Sequence, residues 1–342
     1  MGGGLSPAVA AVRNAVRAAL AGCEPGSLVL AACSGGADSL ALASALAFEA
    51  PRLGLHGGGV TVDHGLQDGS DEQARRVTKA LQGMDLRPVD SATAAVARPG
   101  GPGYPGPEAA AREARYAALR QAASACGAAA VLLGHTMDDQ AETVLLGLAR
   151  GSGARSLAGM PERTGPFLRP LLRISRATTR AACAAQGLEP WDDPQNADPG
   201  FARARVRHRL LPVLEAELGP GVAEALARSA RLLRADADFL DALAESELER
   251  IAPPGSGHSL PLDALDALPE AIRSRALRNA ALAAGCPPGA LSARHVAGLE
   301  ALVTGWRGQR WTDLPGGVRA WRRYGKLQFG SGDDGEAAGG RE

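Results

Sequence analysis

At 342 residues the chain exceeds the roughly 250 at which single hydrophobic cores usually stop growing, so two domains are expected. Hydrophobic residues make up 45 % and charged residues 22 %, which excludes a disordered chain and allows a sizeable core. Basic and acidic residues balance at 37 each, so no long-range field draws the whole molecule to nucleic acid, and any RNA contact must come from local clusters.

Between residues 28 and 151 short apolar runs alternate with amphipathic stretches, the pattern of β-α units around a parallel sheet. Strands are predicted at 28–33, 60–63, 86–90 and 129–133, each leading through a turn into a helix. The second helix opens on Ser70-Asp71-Glu72-Gln73, a capping box that satisfies free backbone N–H groups. Residues 98–107 read RPGGPGYPGP, a loop long enough to cover a site. A helix ending near Arg150 meets Gly151, which suits the left-handed cap position. Beyond it come arginine-dotted loops and Ala/Leu helices at 211–248 and 262–284. Alternating residues around Pro315-Gly316-Gly317 predict a small hairpin, and an acidic, glycine-rich tail follows.

The five cysteines, Cys23, Cys33, Cys126, Cys183 and Cys286, form no C-x-x-C pair, which argues against a disulfide framework and for a reducing, cytoplasmic setting. Every apolar run is interrupted before the roughly 20 residues of a membrane span, so no membrane partner is expected.

The first strand runs into Ser34-Gly35-Gly36-Ala37-Asp38-Ser39, and a helix is expected from Leu40. A loop between a parallel strand and a helix N-terminus points free N–H groups outward, where the helix dipole favours an anion. Gly35 and Gly36 let backbone approach phosphate oxygens, while Ser34 and Ser39 offer hydroxyls. Asp38 would repel phosphate unless a cation lies between them, which implies Mg²⁺ at Asp38. No Gly-Lys-Ser/Thr ending is present, so this is not a Walker loop. SGGADS resembles the phosphate loop of N-type ATP pyrophosphatases, which split ATP into AMP and pyrophosphate. Asp63 and His64 end the second strand where an adenosine could rest.

After the fourth strand, Gly134-His135-Thr136-Met137-Asp138-Asp139-Gln140-Ala141-Glu142-Thr143 opens a helix on which Asp139 and Glu142 share a face. Two carboxylates on one cleft could seat an ammonium group or magnesium; Asp138 reads as a helix-start acid complementing the dipole. With Glu108 to Tyr116 (EAAAREARY), Arg150-Gly151-Ser152-Gly153, Arg169-Pro170-Leu171-Leu172, Trp191-Asp192-Asp193-Pro194-Gln195-Asn196 and Phe201 to His208 (FARARVRH), this segment resembles the tRNA(Ile)-lysidine synthetase family over 28–214. Many relatives carry Arg-Asn where this chain has Arg203-Ala204, so that asparagine's contact is absent or replaced.

The resemblance implies an α/β fold: a parallel-sheet, adenine nucleotide alpha hydrolase-like catalytic domain over 1–210, a smaller mainly helical tRNA-contacting domain with a terminal hairpin over 211–330, and a tail over 331–342. It implies a carbon–nitrogen ligase that uses ATP and Mg²⁺ to adenylate the wobble cytidine of the CAU anticodon of tRNA(Ile) and joins free L-lysine to it. Residues 34–39 with Asp63 and His64 would bind ATP, and Asp139 and Glu142 would hold lysine, one of them taking its proton. Arg112 and Arg115, three apart on a helix, could face the α-phosphate or the lysine carboxylate. Arg203, Arg205, Arg207 and Arg209 alternate, so an extended segment would present all four to an RNA backbone, whereas a helix would spread them. A homodimer is left open. The rival readings are a tRNA thiolase with the same loop, which the isolated cysteines disfavour, a small-molecule amide synthetase, for whose glutaminase no nucleophile-bearing motif is found, and a non-catalytic nucleotide-binding module.

Overall fold

The computed structural model describes residues 5–63, 70–94, 106–151, 153–193, 198–252 and 259–331, with the side chains of 107 and 108 excepted. His64, most of the 98–107 loop, residues 194–196 of the tryptophan motif and the tail after Ser331 lie outside the described residues.

Two compact units are present, Met1–Leu232 and Leu233–Glu342. The division falls beyond the boundary expected at 210. In the first unit α1 (Pro7–Leu20) turns Val9, Val12, Val16 and Leu20 inward, one stripe of a 3.6-residue period. There follow β1 (Leu28–Ala32), α2 (Ala37–Glu49), β2 (His56–Asp63), α3 (Ser70–Gly83), β3 (Val89–Thr93), α4 (Pro107–Ala125), β4 (Ala130–Leu133) and α5 (Met137–Ala149). Next come α6 (Ala154–Leu157), β5 (Arg163–Thr164), β6 (Phe167–Leu168), α7 (Arg176–Ala185), α8 (Ala202–Arg205), a π turn over Val206–Leu210, α9 (Leu211–Leu218) and α10 (Val222–Ile251), which carries the division within it.

The sheet order is β3-β2-β1-β4-β6-β5, parallel except for β5. The chain leaves β1 for one side and returns later to the other, so a crevice opens beyond the carboxyl ends of β1 and β4, the usual ligand position in doubly wound sheets. Register puts those ends level, with Ala32 opposite both Val60 and Leu133. One face of the sheet is covered by α1, α2 and α7 around Leu20, Leu42, Leu46 and Leu171, and the other by α4 through Leu119, Ala122 and Ala123.

Two strands differ from their predicted limits for local reasons. The second begins at His56 because Gly57, Gly58 and Gly59, which carry no strand signal, pair with β1. The third begins only at Val89, since Pro88 has no N–H to give a ladder. The helix expected over 211–248 is broken by Gly219-Pro220-Gly221, where both glycines are left-handed, at φ 91° and 97°.

The second unit holds β7 (Ser259–Pro261), α11 (Leu262–Asp266), α12 (Glu270–Ala283), α13 (Ala293–Thr304), β8 (Thr312–Asp313), β9 (Val318–Arg323) and β10 (Lys326–Ser331). Its antiparallel sheet runs β7-β10-β9-β8, and Leu277, Leu299, Leu302 and Leu327 are fully buried beneath it. The expected hairpin forms between β8 and β9 around Pro315–Gly317, and a second one follows at Tyr324-Gly325. Among the described residues no helix is long and apolar enough to cross a membrane.

Candidate active site

The loop after β1 is shaped from its own residues. Gly35 sits at φ 89°, and a Cβ there would meet Gln73 Nε2 at 2.6 Å and Val77 Cγ2 at 2.9 Å, so the bend needs glycine twice over. Its carbonyl accepts the main-chain N–H of Trp191 at 2.9 Å. Helix α2 starts at Ala37 rather than Leu40, with Gly36 as its N-cap, so the N–H groups of Ala37, Asp38 and Ser39 form the open first turn. The Ser39 hydroxyl accepts the Ser34 N–H at 3.2 Å and donates to the Gly36 carbonyl at 2.9 Å, closing the loop on itself. Ser34 is exposed.

A cleft of about 600 Å³ lies over these residues and the ends of β1, β2 and β4. Ser34, Gly36, Ala37, Asp38 and Ser39 line it on one side; Val60, Val62, Leu119 and Leu133 give it an apolar wall. Asp63 ends β2 nearby but does not line it.

Gly134 brings the second motif up to the loop: a Cβ there would stand 3.2 Å from the main chain of Asp38 and Ser39. Helix α5 is opened by a capping box in which Asp139 accepts the Thr136 N–H at 2.8 Å and the Thr136 hydroxyl at 3.0 Å. Gln140 does structural work, binding both the carbonyl and the N–H of Met160, at 2.8 and 2.6 Å. Asp139 and Glu142 do share a face, and Glu142 is fully buried.

Neither carboxylate opens onto the cleft. Arg176 and Arg207 line the cleft in front of them. Arg176, the first residue of α7, reaches Asp139 at 3.1 Å and Glu142 at 3.3 Å, and its Nε lies 3.6 Å from Asp38. Its own N–H donates to Asp138 at 2.8 Å, so Asp138 caps α7 rather than only complementing the dipole of α5. Arg207 grips Glu142 at 2.7 and 3.2 Å and Asp139 at 3.1 Å. Arg203 adds a contact of 3.5 Å to Glu142 and donates to Thr143 at 3.1 Å. Burial alone would raise the Asp139 carboxyl, but Arg176, the Thr136 N–H and Arg207 outweigh it and hold it below the usual carboxylate range. For Asp38 burial wins and the carboxyl is raised, although the Thr179 hydroxyl donates to it and Arg176 stands beside it.

The arginine segment is therefore not extended. Residues 202–210 form a helical turn and a π turn, which bring Arg203 and Arg207 onto the buried acids instead of lining four arginines along one edge. Of the four, Arg205 and Arg209 are exposed, and Arg205 donates to the carbonyls of Pro199 and Gly200 at 2.7 and 3.0 Å. Ala204, where relatives were expected to carry asparagine, is buried.

On the other side of the cleft, Arg115 lines the wall with its Nε buried and without an acceptor. Burial lowers its pKa, and Arg112 and Arg203 lower it further. Arg112 is exposed and stacks over Tyr116, 5.0 Å from the ring centre. Tyr116 accepts from Arg169 at 3.2 Å. His135 also lines the cleft; burial and Arg115 depress its pKa to about 3, so the ring is neutral, and its Nδ1 has no partner. Arg115 offers this half of the cleft a cationic donor, and among the described residues no ion pair joins it to a carboxylate.

Sequence reasoning missed Arg176, Thr179 and His135 as members of the site. Arg176 and Thr179 begin an ordinary amphipathic helix, and only the fold carries that helix start to the loop. His135 was inside a quoted motif, and its isolation in a nest of arginines is a tertiary fact.

A glycine-bent loop at a helix N-terminus, over the switch point of a parallel sheet and without a Walker lysine, defines a nucleotide-binding enzyme of the PP-loop class. The family described as "PP-loop domain" matches residues 10–214, and that described as "TilS substrate binding domain" matches residues 260–328. The tRNA(Ile)-lysidine synthase of Thermobifida fusca is 59 % identical over 95 % of this chain and 98 % of its own length. That of Streptomyces coelicolor is 55 % identical over 95 % and 98 %, and that of Mycobacterium bovis 47 % over 88 % and 87 %. The chain belongs to the tRNA(Ile)-lysidine synthase family. Among solved structures, the U34-tRNA thiolase NcsA from Methanococcus maripaludis shares the fold, with a TM-score of 0.54 and 18 % identity over 66 % of this chain and 80 % of that one.

Proposed function

We propose that the protein ligates L-lysine to the wobble cytidine of the CAU anticodon of tRNA(Ile), using ATP, and forms lysidine through an adenylated cytidine with release of pyrophosphate and AMP. The observation that carries this reading is a cleft lined on one side by the anion-binding loop at Ser34–Ser39 and on another by Arg176 and Arg207, behind which lies the buried carboxylate pair Asp139 and Glu142. A cytosine carbonyl is a poor electrophile with a poor leaving group. Attack of its oxygen on the α-phosphate of ATP breaks the bond to pyrophosphate and leaves the oxygen as an AMP ester, and attack of lysine's ε-amine on the ring carbon then breaks the carbon–oxygen bond and releases AMP.

In this reading the open N–H groups of α2 hold the phosphates that leave as pyrophosphate, the electrostatic contribution that usually dominates such transfers. Asp38, a quarter exposed and held by Thr179, is the residue that would hold Mg²⁺. The donor set fits an ion carried in by the nucleotide: among the described residues no three acid, histidine or cysteine side chains form a cage. When bound, Mg²⁺ would neutralise charge on the phosphates. Arg115 faces an anion of the substrates, and Asp139 with Glu142 supplies the seat for an ammonium group of lysine once guanidinium is displaced. Arg205, exposed beyond the acid cluster, is available to tRNA phosphate.

The test is incubation of the protein with Mg-ATP, labelled lysine and transcripts differing only at the wobble cytidine. Label is expected in the CAU transcript alone; equal labelling of all transcripts, or none, overturns the reading.

A further inference from the structure

Asp139 and Glu142 cannot be reached from the cleft while two guanidiniums stand in front of them, so any ammonium group bound there must first displace one. The two arginines are not equivalent. Among the described residues Arg207 makes its ion pairs with the two acids, with its Nε and NH2 together at 2.7 Å and 3.2 Å from Glu142, and reaches Asp38 only through its longer-range field. Arg176 touches each acid through the same nitrogen, at 3.1 and 3.3 Å, while its Nε already faces Asp38 at 3.6 Å on the loop side. It has somewhere else to go: phosphates seated on the loop would stand beside Asp38, and a guanidinium binds phosphate in a fork.

From this geometry we propose that Arg176 is a positioning residue that stands in for the substrate ammonium group in the empty enzyme and is drawn toward the loop by bound nucleotide, thereby opening the Asp139–Glu142 seat to lysine. Nucleotide then binds before lysine and raises its affinity. The coupling is carried by one side chain with two sets of partners, and by reciprocity lysine tightens nucleotide to the same degree. This inference rests on the ligase reading given above, but it makes a separate claim about order.

The experiment is calorimetric titration of the full chain with L-lysine, in the presence and absence of Mg²⁺ and α,β-methylene ATP, which cannot release pyrophosphate. For the unaltered protein the nucleotide analogue is expected to tighten lysine by about tenfold, within the range of ordinary site–site coupling. In Arg176→Gln the seat is already open, so lysine binds the nucleotide-free protein about as tightly as it binds the unaltered protein's nucleotide complex, and the coupling disappears. Arg176→Lys keeps the charge but cannot span both sets of partners, so its coupling is intermediate. It decides the question if the glutamine variant fails to show a cooperative thermal transition. A merely structural arginine would weaken lysine binding in both states when replaced. Undiminished coupling in either variant, or weaker lysine binding by nucleotide-free Arg176→Gln, overturns the proposal. Absence of lysine binding by the unaltered protein under both conditions would instead count against the ligase reading.

Discussion

The carbonyl of Gly35 accepts the N–H of Trp191 at 2.9 Å, tying the nucleotide loop to a segment that follows α7. The bond depends on a left-handed Gly35, and there is no room for a methyl group: Val77 Cγ2 lies 2.9 Å from where it would be. Gly35→Ala is expected to cost about 1–3 kcal/mol in stability from backbone strain and displaced packing. It should also weaken ATP binding at least tenfold. Urea unfolding and equilibrium nucleotide binding check the two parts separately.

Glu142 compensates guanidiniums from Arg176, Arg203 and Arg207 and is fully buried. Removing one partner of a buried charged cluster leaves the others uncompensated, typically at about 3–5 kcal/mol. Glu142→Ala should therefore lose stability without any substrate present, and lysine incorporation with it. A denaturation midpoint equal to that of the unaltered protein would contradict the charge accounting.

Arg115 presents the opposite case. It is a half-buried cation with no carboxylate partner among the described residues, and its buried Nε has no acceptor. A cation in that position costs folding free energy that a bound anion would offset. Arg115→Gln is expected to leave the melting temperature unchanged or higher, while kcat/KM for ligation falls about a hundredfold, in line with loss of a charged contact to substrate.

His135 sets a pH dependence. Its folded-state pKa is about 3 against an ordinary 6.5, so between those values the unfolded chain binds more protons than the folded one. Stability from this group is fully present above pH 6.5 and is lost as pH falls toward 3. The slope from one proton is about 1.4 kcal/mol per pH unit. His135→Gln should flatten the stability profile across that window by up to that slope, as read from urea midpoints at successive pH values.

The parallel sheet, the nucleotide loop and the shared face of Asp139 and Glu142 were legible because each follows from local spacing: an apolar run, a glycine pair before a helix, two acids three residues apart. What surrounds the acids was not. Alternation of Arg203, Arg205 and Arg207 fits a strand or a helix equally well, and the deciding term was burial of Glu142, whose charge draws Arg203 and Arg207 together. Arg176 carried no local sign at all, since its role depends on α7 packing against α2, through contacts such as Cys183 on the Ala37 carbonyl. Helix ends were missed where loop and helix merge, as at Ala37, because glycine and serine read as a turn even when the following residues are already helical.

The π turn at Val206–Leu210 gives chain length a role there beside side-chain chemistry. A widened turn accommodates one residue more than a regular helix, so deletion of Val206 would close it to regular helix and move Arg207 one place nearer α8, roughly 100° round the axis from its present direction. Arg207 would then swing off its acid with every functional group of the site still encoded. Insertions and deletions at this spot are thus silent in a catalogue of active-site residues, yet disruptive to the enzyme.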